Sequence, residues 1–152
     1  MYSKKEIKAL HEEFWTALGV YLSPVPSAEG EKINWINYKT GVNGIRFLMS
    51  FTSTKAEVAI EFRDTPLDNA AGLYEKFQRI RPQFHSFMKA GEEWIYHPAD
   101  SVNAEGLIRL TAIVDNINVR DKANWPAAIS FFKQNIIGLD AFWSQFKFLF
   151  EE

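Results

Sequence analysis

Ile45-Arg46-Phe47-Leu48-Met49-Ser50-Phe51 and Lys55-Ala56-Glu57-Val58-Ala59-Ile60-Glu61-Phe62, joined by Thr52-Ser53-Thr54, set the architecture of the whole chain. In the first run Ile45, Phe47, Met49 and Phe51 fall on one face, and Arg46, Leu48 and Ser50 on the other. In the second, Val58, Ile60 and Phe62 alternate with Glu57, Ala59 and Glu61. This period of two marks half-buried strands. The joint is long enough only for a tight turn. Parity then predicts the register, because a slip by one residue would set one strand's apolar face against the other's polar face. A loop of Ser53 and Thr54 places Phe47 opposite Ile60, Met49 opposite Val58, Arg46 opposite Glu61 and Ser50 opposite Glu57.

Just before the hairpin stands Trp35-Ile36-Asn37-Tyr38-Lys39-Thr40-Gly41. Trp35, Asn37, Tyr38 and Lys39 combine stacking, amide and cationic groups, a set suited to a phosphate, a base or a peptide backbone. The plainer account gives Asn37 and Thr40 to backbone groups in a turn closed by Gly41, with Trp35 and Tyr38 packed on the core. Arg46 and Glu61 join the candidate binding residues as a cross-strand pair.

Ser3-Lys4-Lys5-Glu6 has the form of a capping box. Behind it Ile7, Leu10, Phe14, Ala17, Leu18 and Tyr21 recur at helical spacing, and Pro24 stops that helix. After the hairpin, Asp64 or Thr65 is placed to cap a helix opened by Pro66, with Leu67, Ala70, Tyr74, Phe77, Ile80, Phe84 and Phe87 as its stripe. Pro82 lies inside it and predicts a kink or split near Ile80. Trp94-Ile95-Tyr96 reads as a short strand, Asp100 to Gly106 as a turn and Leu107 to Val114 as a fourth strand. Asn124-Trp125-Pro126 then opens two helical stretches, with Gly138 and Asp140 at the break between them. The order α-β-β-α-β-β-α-α with short connections predicts an α+β fold: an antiparallel sheet of about four strands with helices packed mainly on one face.

The 152 residues suit one domain spanning 1–152, and 47% hydrophobic content supports a packed core. A net charge of −2 lacks the basic excess that nucleic-acid binding draws on. The absence of cysteine removes thiolate chemistry, disulfides and Cys-ligated zinc. No signal peptide or membrane-spanning run is visible, so a soluble cytoplasmic protein is expected. There is no Walker loop, dinucleotide fingerprint or nucleophile elbow, and no cofactor is expected. His11, His85 and His97 have no metal-site spacing.

Trp15-Thr16-Ala17, Pro24-Val25-Pro26-Ser27-Ala28-Glu29-Gly30, Asn34 to Gly41, Gly91-Glu92-Glu93-Trp94, Trp125-Pro126 and Ile136 to Trp143 occur in an order that resembles the bacterial domain of unknown function 4268 family. The resemblance covers nearly the whole chain. It implies a compact domain, free-standing or attached to nuclease-like modules, and carries no catalytic residue. The chain departs from the pattern at Asn124, where Asp is usual, and at Gln134, where Pro is usual. Asn still suits a helix cap. Without the Pro, the break before the last helix is less marked.

Two functions from different classes follow. The first is a non-catalytic interaction domain that self-associates or docks onto a nuclease-type or defence-related protein. The second is a divergent PD-(D/E)xK-like nuclease using Glu57 and Glu61 as catalytic carboxylates. Glu61-Phe62-Arg63 resembles the second half of that motif, but no Asp precedes Asp64 and Arg63 cannot replace the lysine. Ordinary strand construction explains the same carboxylates as a solvated face paired with Ser50 and Arg46. The missing Asp and the −2 charge favour the interaction domain. For its interface, Phe148 lies two residues from both Phe146 and Phe150 and so points roughly 200° away from each on a helix. An outward Phe148 beside Phe131 would form an apolar contact patch, with a homodimer as the default expectation.

Overall fold

The computed structural model describes residues 2–99 and 106–151. Helix α1 (Lys4–Leu22) opens on the expected capping box. Ser3 Oγ accepts the Glu6 N–H at 3.2 Å, and Glu6 Oε1 accepts the Ser3 N–H at 3.2 Å. Its buried stripe is Phe14, Leu18 and Leu22. Tyr21, expected on that stripe, is exposed, because steps of four from Phe14 reach Leu22 instead.

Strands β1 (Ile45–Phe51) and β2 (Lys55–Phe62) pair antiparallel in the expected register: Phe47 with Ile60, Met49 with Val58, Arg46 with Glu61 and Ser50 with Glu57. The Thr52 N–H donates to Lys55 O at 2.9 Å and closes the turn. Strands β3 (Ile95–His97) and β4 (Ile108–Asp115) complete a sheet in the order β1-β2-β4-β3, antiparallel throughout. The turn expected over Asp100–Gly106 lies, apart from Gly106, outside the described residues.

The helix expected from Pro66 begins later, as α2 (Ala70–Arg79). Thr65 closes a turn first: its N–H donates to Asp68 O at 2.7 Å, and its Oγ1 accepts the Asp68 N–H at 3.0 Å. Leu67 is left at the tip of that turn, 92% exposed, so it is not part of the buried stripe. Asn69 caps α2 through the Gly72 N–H, while Asp64 accepts the Ala70 N–H. As the proline predicts, the helical run splits at Ile80, and α3 (Arg81–Phe87) follows with Pro82 in its first turn.

The expected break at Gly138 does not occur. Helix α4 (Trp125–Phe146) runs through it and ends in a 3-10 turn, Lys147–Phe150. Gly138 serves close packing instead: a Cβ there would lie 2.6 Å from Phe87 O and 2.7 Å from Met88 Cε. Only glycine allows the end of α3 to come so near the helix. Asn124 stands at the N-cap of α4, but its Oδ1 accepts the Asn118 N–H across the preceding loop at 2.8 Å rather than a helix amide.

The helices cover one face of the sheet. Phe51 meets Phe14 and Phe132, Phe62 meets Phe77, and Phe47 meets Trp143, mostly edge to face. Such ring pairs add about 0.5–1.5 kcal/mol each beyond the area they bury. Phe47, Phe51, Ile60 and Phe62 all project to this side, as their alternation requires.

Candidate functional site

Between the segment Ser27–Thr40 and the C-terminal part of α4 lies a cleft of about 580 Å³. Its shape depends on three bonds that cross from loop to helix. Tyr38 Oη donates to Asp140 Oδ1 at 2.6 Å, the Ala28 N–H donates to Asp140 Oδ2 at 2.7 Å, and Trp143 Nε1 donates to Thr40 O at 2.7 Å. Asp140 is 6% exposed, yet both of these donors are neutral. Burial, the hydrogen bond to Asp140 and the charges of Asp140 and Glu29 hold the Tyr38 hydroxyl well above its ordinary pKa. It therefore stays protonated and remains a donor.

The loop is held from within as well. Trp35 is buried and donates Nε1 to Val25 O at 2.9 Å. Asn34, rather than Asn37, satisfies the turn: its Oδ1 accepts the Ile36 and Asn37 N–H groups. Thr40 Oγ1 donates to Ile45 O at 2.6 Å and so ties the loop to the start of β1. Gly41 adopts φ 77°, a left-handed conformation that suits glycine.

The candidate residues read from the sequence divide between two places. Asn37, Tyr38 and Lys39 line the cleft, and Trp35 is buried within the same loop. Phe148, 64% exposed, lines the same cleft, so the proposed binding loop and the proposed interface residue meet at one site. Phe131 does not join them. It is buried against Phe132 and cannot form an outward patch with Phe148. Glu29, Glu31, Asp140, Trp143 and Lys147 also line the cleft and were not among the expected site residues. One signal for Asp140 was available: an acidic residue between Leu139 and Phe142, within an apolar stripe, needs a local reason to be there.

Arg46, Glu57 and Glu61 lie on the other face of the sheet. The carboxylates are not solvated, since Glu57 and Glu61 are each 8% exposed. Nor is Arg46 the charge partner of Glu61; it is exposed on the edge strand. Arg109 takes that role. It stands opposite Glu61 on β4, with Nη2 3.3 Å from Glu57 Oε1 and Nε 3.6 Å from Glu61 Oε2. Lys55 and Arg63 flank the pair at 3.8 and 3.6 Å. Because β2 is an interior strand, its polar face is covered by neighbours on both sides.

The histidines are dispersed. His97 Nε2 lies 3.0 Å from Thr111 Oγ1. His85 accepts from Arg81 Nε at 3.2 Å, and burial together with that guanidinium lowers its pKa. Among the described residues no three His, Asp or Glu side chains converge to hold a metal. No helix among them is long and apolar enough to cross a membrane.

One antiparallel sheet backed by a single helical layer, with a cleft where a loop crosses the last helix, defines the class: a two-layer α+β domain. The chain belongs to the family described as domain of unknown function DUF4268, which it matches over residues 10–147. The cleft-forming loop, the whole sheet and α4 all fall inside that match. No curated protein and no solved structure matches the chain.

Proposed function

We propose that this chain is a non-catalytic interaction domain that holds a segment of a partner protein in the cleft beside α4. The observation that carries the reading is the cleft of about 580 Å³, with exposed Asn37, Lys39 and Phe148 around a braced floor. Binding sites commonly have volumes of roughly 300–1,000 Å³ and mix apolar walls with a few placed polar groups. Tyr38, Thr40, Asp140 and Trp143 engage loop and helix, which favours shape over chemistry. A nuclease-type protein, as the family resemblance implies, or another defence-related protein is the first partner to test. Self-association is less well supported, because Phe131 is buried and Phe148 alone remains outward.

The nuclease-like alternative would have Glu57 and Glu61 hold a cation. Arg109 already engages both carboxylates, and this supports the binding reading over the enzyme. A screen of a small-molecule fragment library by amide and indole NMR tests the proposal. Expected hits shift the Trp143 indole N–H and the amides of Ala28 and Lys39. Hits confined to the Glu57–Arg109 face, or none at the cleft, overturn it.

A further inference from the structure

We infer that the cleft recognises a basic side chain, arginine or lysine, on an extended segment of its protein partner. This rests on the cleft being a binding site and adds the chemistry of its occupant. Charge complementarity carries it. Glu29, Glu31, Asp140 and Glu151 line the cleft against only Lys39 and Lys147. The acidic excess is not diffuse, because one carboxylate, Asp140, is buried in the wall at 6% exposure.

A buried carboxylate normally has a cationic partner, since a lone charge out of water is costly. Asp140 has a phenol and a backbone amide instead. These donors satisfy its lone pairs in part and orient it, but they leave its charge in place. Neither Asp140 nor the two cleft lysines is in an ion pair among the described residues. Lys147 is turned toward the loop backbone, its Nζ 2.6 Å from where a Cβ of Gly41 would be. A guanidinium or ammonium entering the cleft would find a buried carboxylate at the wall and exposed carboxylates at Glu29 and Glu31.

The apolar part of the site suits the stem of the same side chain. Phe148 stands 64% exposed at the cleft, and a long aliphatic stem packs on such a ring while its head reaches a carboxylate. An arginine plane gains further from stacking and cation–π contact with the ring. A phosphate or an acidic peptide would meet the acidic excess and be repelled.

The test uses the whole chain and four blocked tripeptides, acetyl-Gly-Xaa-Gly-amide, with arginine, lysine, leucine or glutamate at the centre. Binding is followed by NMR shifts of the Trp143 indole N–H and the Ala28 amide. The arginine and lysine peptides are expected to bind about tenfold or more tightly than the glutamate peptide. Asp140→Asn keeps an acceptor for the loop and is expected to weaken the arginine peptide by about tenfold. Should that variant fold poorly, the exposed pair Glu29→Gln/Glu31→Gln serves, with weaker arginine binding expected. Arg46→Ala, on the far face, is expected to change nothing. Preference for leucine or glutamate, or arginine binding unchanged in both cleft variants, overturns the inference and leaves the cleft as a binding site. Absence of any peptide shift, together with no fragment hits at the cleft, overturns both.

Discussion

The β1–β2 hairpin and the cleft beside α4 are neighbours, since Phe47 of the hairpin stacks on Tyr38 and meets Trp143 edge to face. They are held by different means. The hairpin has a ladder of backbone bonds and apolar pairs between residues close in sequence. The cleft depends on a few polar bonds spanning about a hundred residues, Tyr38 to Asp140 and Trp143 to Thr40. A ladder spreads its stability over many small contributions. A brace concentrates it, so one substitution changes local shape without unfolding the rest.

Substitutions separate the two regimes. The largest effect is expected where they touch. Phe47→Ala should cost about 3–5 kcal/mol, from lost burial plus a cavity. The denaturation midpoint in urea measures it, and a cost below 1 kcal/mol would refute the placement of this ring between hairpin and cleft. Asp140→Ala should follow, at about 1–3 kcal/mol, because it strands the Tyr38 hydroxyl and the Ala28 N–H. Hydrogen exchange should quicken across residues 27–40 while the hairpin amides stay protected. Equal loss of protection in both regions would show that the brace and the ladder are one unit.

Arg109→Gln should cost about 1–2 kcal/mol. That is less than for a fully buried pair, because its side chain is 34% exposed. Adding Glu57→Gln and Glu61→Gln should recover most of the loss. In the wild type, magnesium or manganese should leave the melting temperature unchanged; a clear rise lost in the Glu57→Gln/Glu61→Gln variant would revive the nuclease reading. The smallest effect is expected from Phe148→Glu, within about 0.5 kcal/mol on stability. The same variant should lose binding at the cleft, and wild type and variant should both sediment as monomers at micromolar concentration. A wild-type dimer dispersed by the substitution would restore the self-association proposed from the sequence.

The contrast also explains what could be read from the chain before its structure. Register along Ile45–Phe62 follows from alternation and a short turn, both local, and it holds residue for residue. The split at Ile80 follows from Pro82 for the same reason. Errors begin where a second, distant partner intervenes. Gly138 looks like a helix end until Phe87 O is placed against it. Glu61 looks solvated and paired with Arg46 until β4 brings in Arg109. Phe131 looks surplus until the packed interior accommodates it. At the cleft, the loop residues Asn37, Tyr38 and Lys39 stand out by composition, whereas Asp140 shows in the sequence only as an acidic residue within an apolar stripe, and its role becomes readable once Tyr38 lies beside it.

The position of α4 after the whole sheet in chain order has a consequence for biosynthesis. Phe47, Phe51, Val58 and Ile60 leave the ribosome well before Phe132, Phe142 and Trp143, which come to lie with them in the finished core. In the interval the strand pair carries an apolar face without that cover, and β1 is an edge that other chains can join. Substitutions that weaken α4 prolong that interval. They will show first as lost soluble yield in the cell, before they alter anything the folded protein binds.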